Sequence, residues 1–307
     1  MIVKNADGST GSGTTKPVRK TAMEYSSPSS VDEAVSLLSG ATGTAHVLAG
    51  GTDLVVQITA GLRKPERVVD IKRIGELTTI SEDADGIRIG AAVCGAEINE
   101  NASIRAKWPG FAEATDLIGS MQVQSRATPT GNLCNSSPAA DAVPGMVAAG
   151  ATVTIAGPNG RRTCPVEDVP KGPGRTSLEK GELIVCINLP PKPARSGEAY
   201  VRFTPRTEMD IAVVGVGVNL TLDDTGTCTA ARVAVGAVAP TVLLVKEAAD
   251  ALIGTTVDDA ALDAAAAAVR AACKPIDDKR ATAAYRIKVS GTIFKRAALK
   301  ALERAKA

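Results

Sequence analysis

One stretch constrains this chain more than any other: Leu48-Ala49-Gly50-Gly51-Thr52-Asp53-Leu54. It follows the short apolar run Ala45–Val47 and precedes Val55-Val56-Gln57-Ile58. Two adjacent glycines between an expected strand and an expected helix make a tight turn, because glycine enters conformations closed to other residues. A turn without side chains also lets another molecule approach the backbone. Amides at the start of the next helix have no intrahelical partner and favour an anion such as pyrophosphate. Thr52 or Asp53 is expected to cap that helix, since a short oxygen side chain accepts a bond from such an amide. Turns of this kind also occur with no ligand, so the motif alone leaves both readings open.

A second stretch, residues 121–144, is rich in small polar residues and runs into the apolar Ala139–Val143 and Val147–Ala149. It is expected to be a long irregular loop, and a loop of that kind inside a compact domain is usually functional. Its many N–H and hydroxyl donors suit an extended polar ligand.

Together the two stretches resemble the FAD-binding medium subunit of the molybdenum hydroxylases, the aerobic carbon monoxide dehydrogenase and xanthine dehydrogenase group. The family's Ala-Gly-Gly-Thr-Asp-Leu loop is met letter for letter at 49–54. Its second loop, typically Thr-Ile-Gly-Gly-Asn-Leu-Cys-Asn-Ala-Ser-Pro-Ala-Ala-Asp, is met at 128–141 with three differences. Arg206 to Val214 resembles the family's Arg-x-x-Met-Asp-Ile-Ala segment, and Gly236 to Pro240 its Gly-Gly-Val-Ala-Pro. Tyr285-Arg286 resembles its C-terminal Tyr-Arg. The likeness covers residues 23–300, with the motifs in order.

Composition fits that picture without requiring it. Of 307 residues, 44% are apolar and 22% charged, an ordinary globular balance with room for more than one core. A net charge of +2 gives no field for nucleic acid or anionic lipid, and three Phe, three Tyr and one Trp make no base-stacking platform. No run approaches the roughly 18 apolar residues of a membrane span, and no apolar signal core is seen, so a cytoplasmic location is expected. Six cysteines (94, 134, 164, 186, 228 and 273) are scattered singly, and His46 is the only histidine. They assemble no zinc or iron–sulfur ligand set, so any cluster feeding this chain sits on another one.

Along the chain, residues 1–22 lack apolar periodicity and are expected to be a flexible extension. Ser29 or Ser30 caps an amphipathic helix that Gly40 stops, and strands follow at His46–Leu48 and Val68–Ile71. This order implies a small α/β subdomain, 23–76. From 77 to 192 short strands are expected at Leu77–Ile80, Gly86–Ile89, Ala91–Cys94, Ala151–Ala156, Arg162–Val166 and Leu183–Leu189. Helices are expected at Glu97–Ile104, Phe111–Ile118 and Pro144–Ala149. The Pro- and Lys-rich segment 190–198 reads as a boundary. Beyond it, 198–307 reads as three antiparallel strands (Tyr200–Phe203, Ile211–Leu222, Thr227–Val238) and three helices (244–253, 258–272, 282–305). The fold class is therefore α+β. By the resemblance, 23–192 is a two-subdomain FAD-binding domain of the PCMH/vanillyl-alcohol-oxidase type.

The resemblance also implies the cofactor contacts. Val47, Leu48, Ala49, Gly50, Gly51, Thr52, Asp53 and Leu54 would wrap the FAD pyrophosphate. Ala127, Thr128, Gly131, Asn132, Asn135 and Asp141 match the second loop, which reaches the diphosphate, the ribityl chain and the flavin edge. Asp141 has a second, less favoured reading as a cap for the helix that follows. Ile184 matches an apolar position near the cofactor. Arg202 lies where a relative carries a lysine near the flavin, and reads also as a surface arginine. Where the family has Ile-Gly-Gly, this chain has Pro129-Thr130-Gly131. Proline removes one N–H and biases Thr128 towards extended geometry, and Thr130 restores a Cβ where the family has none.

The implied function is electron transfer through non-covalent FAD, with no covalent link at His46. Molybdopterin and two [2Fe–2S] clusters would sit on a large and a small partner subunit, in a dimer of heterotrimers. NAD, oxygen or a quinone would be the acceptor. Two alternatives stay open: a stand-alone flavin oxidoreductase of the same wider fold, and a cofactor-free assembly subunit.

Overall fold

The computed structural model describes residues 23–207 and 209–307. The extension expected at 1–22 lies outside them. The first unit is a parallel three-stranded sheet: β1 (Glu24–Ser26), β2 (Ala45–Leu48) and β3 (Arg67–Asp70), with β3 in the centre. Between β1 and β2 runs α1 (Val31–Ser39), capped by the Ser30 hydroxyl, which accepts from the Glu33 amide at 3.2 Å. It lays Val31, Ala34 and Leu38 against the core. Between β2 and β3 lies the short helix α2 (Leu54–Thr59).

The second unit is an antiparallel sheet in the order β4 (Ile80–Asp83), β5 (Gly86–Gly90), β10 (Leu183–Leu189), β6 (Thr152–Gly157) and β7 (Gly160–Pro165). A hairpin, β8 (Pro170–Gly172) with β9 (Arg175–Thr176), precedes β10. Six helices fill the long excursion between β5 and β6: α3 (Gly95–Glu100), α4 (Ala102–Lys107), α5 (Pro109–Asp116), α6 (Met121–Gln124), α7 (Pro129–Asn135) and α8 (Ala142–Ala148).

Three expectations change here. The strand expected at Leu77–Ile80 begins only at Ile80, because Gly75–Leu77 forms a tight 3-10 turn. Ala91–Cys94 is a turn rather than a strand, its Ala92 amide bonded to the Leu77 carbonyl at 2.7 Å. The helix expected across Glu97–Ile104 is two helices, broken where extended Asn101 turns its side chain to cap the Ile104 amide.

The last unit is an antiparallel sheet in the order β11 (Ser196–Phe203), β12 (Val214–Leu222), β13 (Cys228–Gly236) and β14 (Leu243–Leu244). The three expected strands are thus joined by a fourth of two residues. The helices α9 (Lys246–Asp250), α10 (Asp259–Ala272) and α11 (Ala283–Lys306) pack over this sheet, alanines of α10 and α11 meeting its valines in one core. Arg286 of α11, 4% exposed, donates to the carbonyls of Ala212, Val213 and Ala237, which fixes the ends of β12 and β13.

The two halves meet across α5 and α8. All seven residues of α8 are buried, and Pro144 lies so close to β12 that a Cβ on Gly217 would come within 2.4 Å of its carbonyl oxygen. Glu198 of β11 is fully buried at this seam with neither carboxyl oxygen hydrogen-bonded. The Lys192 ammonium, 4.6 Å from the centre of the Trp108 ring, opposes the effect of that burial, which still pushes the Glu198 carboxyl up to about 8. An acid raised in the folded state loses stability as pH rises from its ordinary value through the raised one. Glu198→Gln is therefore expected to raise Tm at about pH 8 and change little near pH 5. Thermal melts at both pH values test this, and an equal shift at both would contradict it.

Candidate cofactor site

The glycine turn leaves β2 at Leu48 and enters α2 at Leu54. Lys72 anchors its near side, its ammonium donating to the Ala49 carbonyl at 3.0 Å and pairing with Asp70 at 2.7 Å. Gly51 has φ +80°, a left-handed conformation that a side chain would strain. Gly50 packs on the second loop, where a Cβ would fall 1.8 Å from the Arg126 carbonyl oxygen. The capping expectation fails: Asp53 stands at the cap position, but in helical geometry and without a side-chain bond to the helix. Among the described hydrogen bonds none is donated by the amides of Gly51, Thr52, Asp53 or Leu54.

The second loop is not irregular. Extended Thr128 (φ −117°, ψ 144°) caps α7, its hydroxyl accepting from the Gly131 amide at 2.8 Å. Pro129 occupies the first helical position, where its missing N–H costs nothing and its fixed φ suits the helix. Thr130 lies in the same helical turn and has no positive φ, so its Cβ is unstrained. The departures from the family pattern are therefore compatible with the fold. Asn135 accepts from the Gln57 side chain of α2 at 2.9 Å, and Asn132 accepts from the Ala142 amide at 3.1 Å. Thr128→Ala is expected to lower stability by about 1 kcal/mol, the usual value of a cap, and to loosen the loop. Melting with and without added FAD would measure both effects.

The two loops enclose a cavity of about 530 Å³ between the first two sheets. Val47, Ala49, Gly51, Thr52, Asp53, Leu54, Ala127, Gly131, Asn132, Asn135 and Ile184 line it. Ile184 reaches it beside a bulge in β10, where the register slips between Ile184 and Cys186. Leu48, Gly50, Thr128, Asp141 and Arg202 do not line it. Leu48 and Gly50 shape the turn, and Thr128 caps α7. Asp141 is not a cap for α8, making no side-chain bond to it. Its carboxyl instead accepts from the Tyr200 hydroxyl at 3.1 Å and the Arg202 guanidinium at 2.8 Å. The Arg202 side chain, 5% exposed, is neither on the surface nor at the cavity, and it also donates to the Leu117 carbonyl at 2.9 Å. Burial pushes the Asp141 carboxyl up to about 6 against the pull of Arg202 and Tyr200.

Sequence reasoning missed Arg63 and Lys180, which bring positive charge to the cavity, and Gln57, Thr130 and Leu178. Only the fold brings the segment 174–184 beside the glycine turn, so no local pattern could have found Lys180. His46, half-buried on β2, faces the cavity, and burial together with the Arg63 charge lowers its pKa. Burial pushes the Cys134 thiol up to about 12, so it stays protonated.

These residues fit FAD. Gly51, Thr52, Asp53 and Leu54 line the cavity with backbone amides that donate no hydrogen bond among the described residues, and Arg63 and Lys180 line it too, a donor set for a diphosphate. The apolar Ile118, Leu178, Leu183 and Ile184 supply walls for a ring. Comparison with known families decides the assignment. Residues 21–192 match the model of the FAD binding domain in molybdopterin dehydrogenase, and residues 199–301 match the CO dehydrogenase flavoprotein C-terminal domain. The chain belongs to this family. FAD is its cofactor, and it is a subunit of the FAD-dependent molybdenum hydroxylases, an oxidoreductase class.

The carbon monoxide dehydrogenase medium chain of Afipia carboxidovorans is 34% identical over 284 residues, spanning 92% of this chain and 98% of that one. The xanthine dehydrogenase FAD-binding subunit of Escherichia coli O157:H7 is 29% identical over 274 residues, 89% and 93% of the two chains. The solved structure of reconstituted CO dehydrogenase from Oligotropha carboxidovorans superposes with a TM-score of 0.88 at 34% identity, covering 92% of this chain and 98% of that one.

Proposed function

We propose that this medium FAD subunit carries electrons from [2Fe–2S] clusters on a small partner subunit to an external acceptor: NAD, oxygen or a quinone. A large molybdopterin subunit would hydroxylate the organic substrate, in a cytoplasmic dimer of heterotrimers. The observation that carries this reading is the run from Gly51 to Leu54, which lines the cavity beside the second loop and whose amides have no hydrogen-bond partner among the described residues. Bound FAD supplies reversible one- and two-electron redox chemistry. The chain's own residues bind and orient it. The amides, with Arg63 and Lys180, hold the diphosphate charge, and Ile118, Leu183 and Ile184 keep water from the ring.

The remaining residues argue against substrate chemistry here. Cys134 is held as a thiol and His46 has no carboxylate or nucleophile among its described hydrogen-bond partners, so no activated nucleophile lines the cavity among the described residues. The same facts favour non-covalent FAD. Among the described residues no helix is long and apolar enough to cross a membrane.

The test is the visible absorbance of the purified chain, with chromatography of any flavin released on denaturation. Free FAD is the expected product. Flavin that stays with the polypeptide would overturn non-covalent binding. A colourless chain that takes up no added FAD would sink the reading, and bleaching of the isolated chain by an organic substrate would favour a stand-alone oxidoreductase.

A further inference from the structure

We propose that the Thr130 hydroxyl positions the cofactor, forming a hydrogen bond to a phosphate or ribityl oxygen of bound FAD. The inference rests on the cofactor reading above and deepens it. Thr130 is 6% exposed and lines the cavity, yet its Oγ1 has no hydrogen-bond partner among the described residues. Native proteins rarely bury a hydroxyl unpaired, and such a group marks a place that a ligand or water completes. Its neighbours on the loop are already committed. Asn132 Oδ1 accepts from the Ala142 amide, Asn135 Oδ1 from Gln57, and Thr128 Oγ1 from the Gly131 amide. Thr130 is thus a second-loop residue at the cavity whose side-chain oxygen is buried and uncommitted among the described residues, one χ1 rotation from a bound ligand.

Its placement is rigid. Pro129 fixes the start of α7, the Thr128 cap holds the first turn, and the Asn135–Gln57 bond ties the far end of α7 to α2. A threonine side chain has one rotatable bond before its hydroxyl, so little entropy opposes the contact. The hydroxyl can donate to an anionic phosphate oxygen, or both donate to and accept from a sugar hydroxyl. At a position where a glycine is expected from the family pattern, this chain gains a contact that glycine cannot make.

The test compares wild type with Thr130→Val, Thr130→Ser and Thr130→Gly, each stripped of flavin and titrated with FAD by fluorescence. Thr130→Val keeps the shape and removes the hydroxyl, and is expected to weaken FAD binding about tenfold. Thr130→Ser is expected within about twofold of wild type, because it keeps the hydroxyl. ADP, which shares the diphosphate, and riboflavin, which shares the ribityl chain and has no phosphate, are titrated alongside. A loss with either identifies the oxygen and supports the proposal. The flavin-free Thr130→Val variant is expected to melt no lower than wild type, since no internal hydrogen bond is lost.

FAD binding by Thr130→Val equal to wild type, tighter binding by Thr130→Gly, or a lower flavin-free Tm for Thr130→Val would each overturn the proposal. Failure of the wild type itself to bind FAD would instead overturn the cofactor reading beneath it.

Discussion

Gly50→Ala is expected to strip the chain of flavin while leaving it folded. The new Cβ would fall 1.8 Å from the Arg126 carbonyl oxygen and 2.5 Å from its carbon. Both are backbone atoms and cannot rotate aside, so the two loops must separate. Overpacking of this kind costs about 1–3 kcal/mol, small against the 5–15 kcal/mol that holds a typical domain together. The displacement falls on the amides proposed to hold the diphosphate, so FAD affinity is expected to drop about ten- to a hundredfold. Gly226→Ala is the control. Unlike Gly50, Gly226 has a positive φ, +84°, in the turn between β12 and β13, and nothing lies within 4 Å of a new Cβ there. It carries the backbone strain and should keep its flavin. Flavin content per polypeptide after gel filtration reads both, and equal retention by Gly50→Ala would remove the close approach of the loops from the argument.

Arg202→Leu is expected to cost about 3–5 kcal/mol, the usual penalty for removing one member of a buried ion pair. The Asp141 carboxyl would keep only the Tyr200 hydroxyl. Its pKa is about 6 with Arg202 in place, above the ordinary 3.8, so ionisation already works against the fold. Stability from this group is complete below pH 3.8 and declines as pH rises through about 6. Without Arg202 the upper limit moves higher, and the deficit is expected to be largest above about pH 7 and to shrink on acidification. Adding Asp141→Asn to Arg202→Leu should recover most of the loss, because no buried charge then remains. Melting of the single and double variants across pH checks this, and a deficit independent of pH would refute it.

How much was legible in the sequence depends on whether the signal was local. The glycine turn, the Ser30 cap and the β12–β13 pair joined by the Asp223–Gly226 turn were, because short local patterns carry them. The 121–144 segment misled. Its small polar residues resemble loop composition, yet Thr128-Pro129 is a cap followed by proline at the first helical position, and α7 forms on tertiary support. Asp141 and Arg202 were read separately as a cap or flavin contact and as a flavin partner or surface charge. Only the packing of α8 against β11 reveals that each satisfies the other. Arg63 and Lys180 were invisible because their shared cavity is assembled from distant segments. The motif located the site, and the fold decided which of its residues face inward.

The contact of Pro144 with Gly217 has an evolutionary consequence. The helix α8 belongs to the first half of the chain by sequence and by core, yet it also packs against β12 of the second, and a Cβ on Gly217 cannot be accommodated without moving it. Recombination between relatives at residues 190–198 would cut the chain where the sequence looks most permissive. It would nevertheless pair an α8 from one lineage with a β12 surface shaped for another. Chimeras that carry 142–148 together with 196–307 from a single parent should keep the seam with β12 but set α8 into a foreign first core, so the two halves are coupled as inherited units.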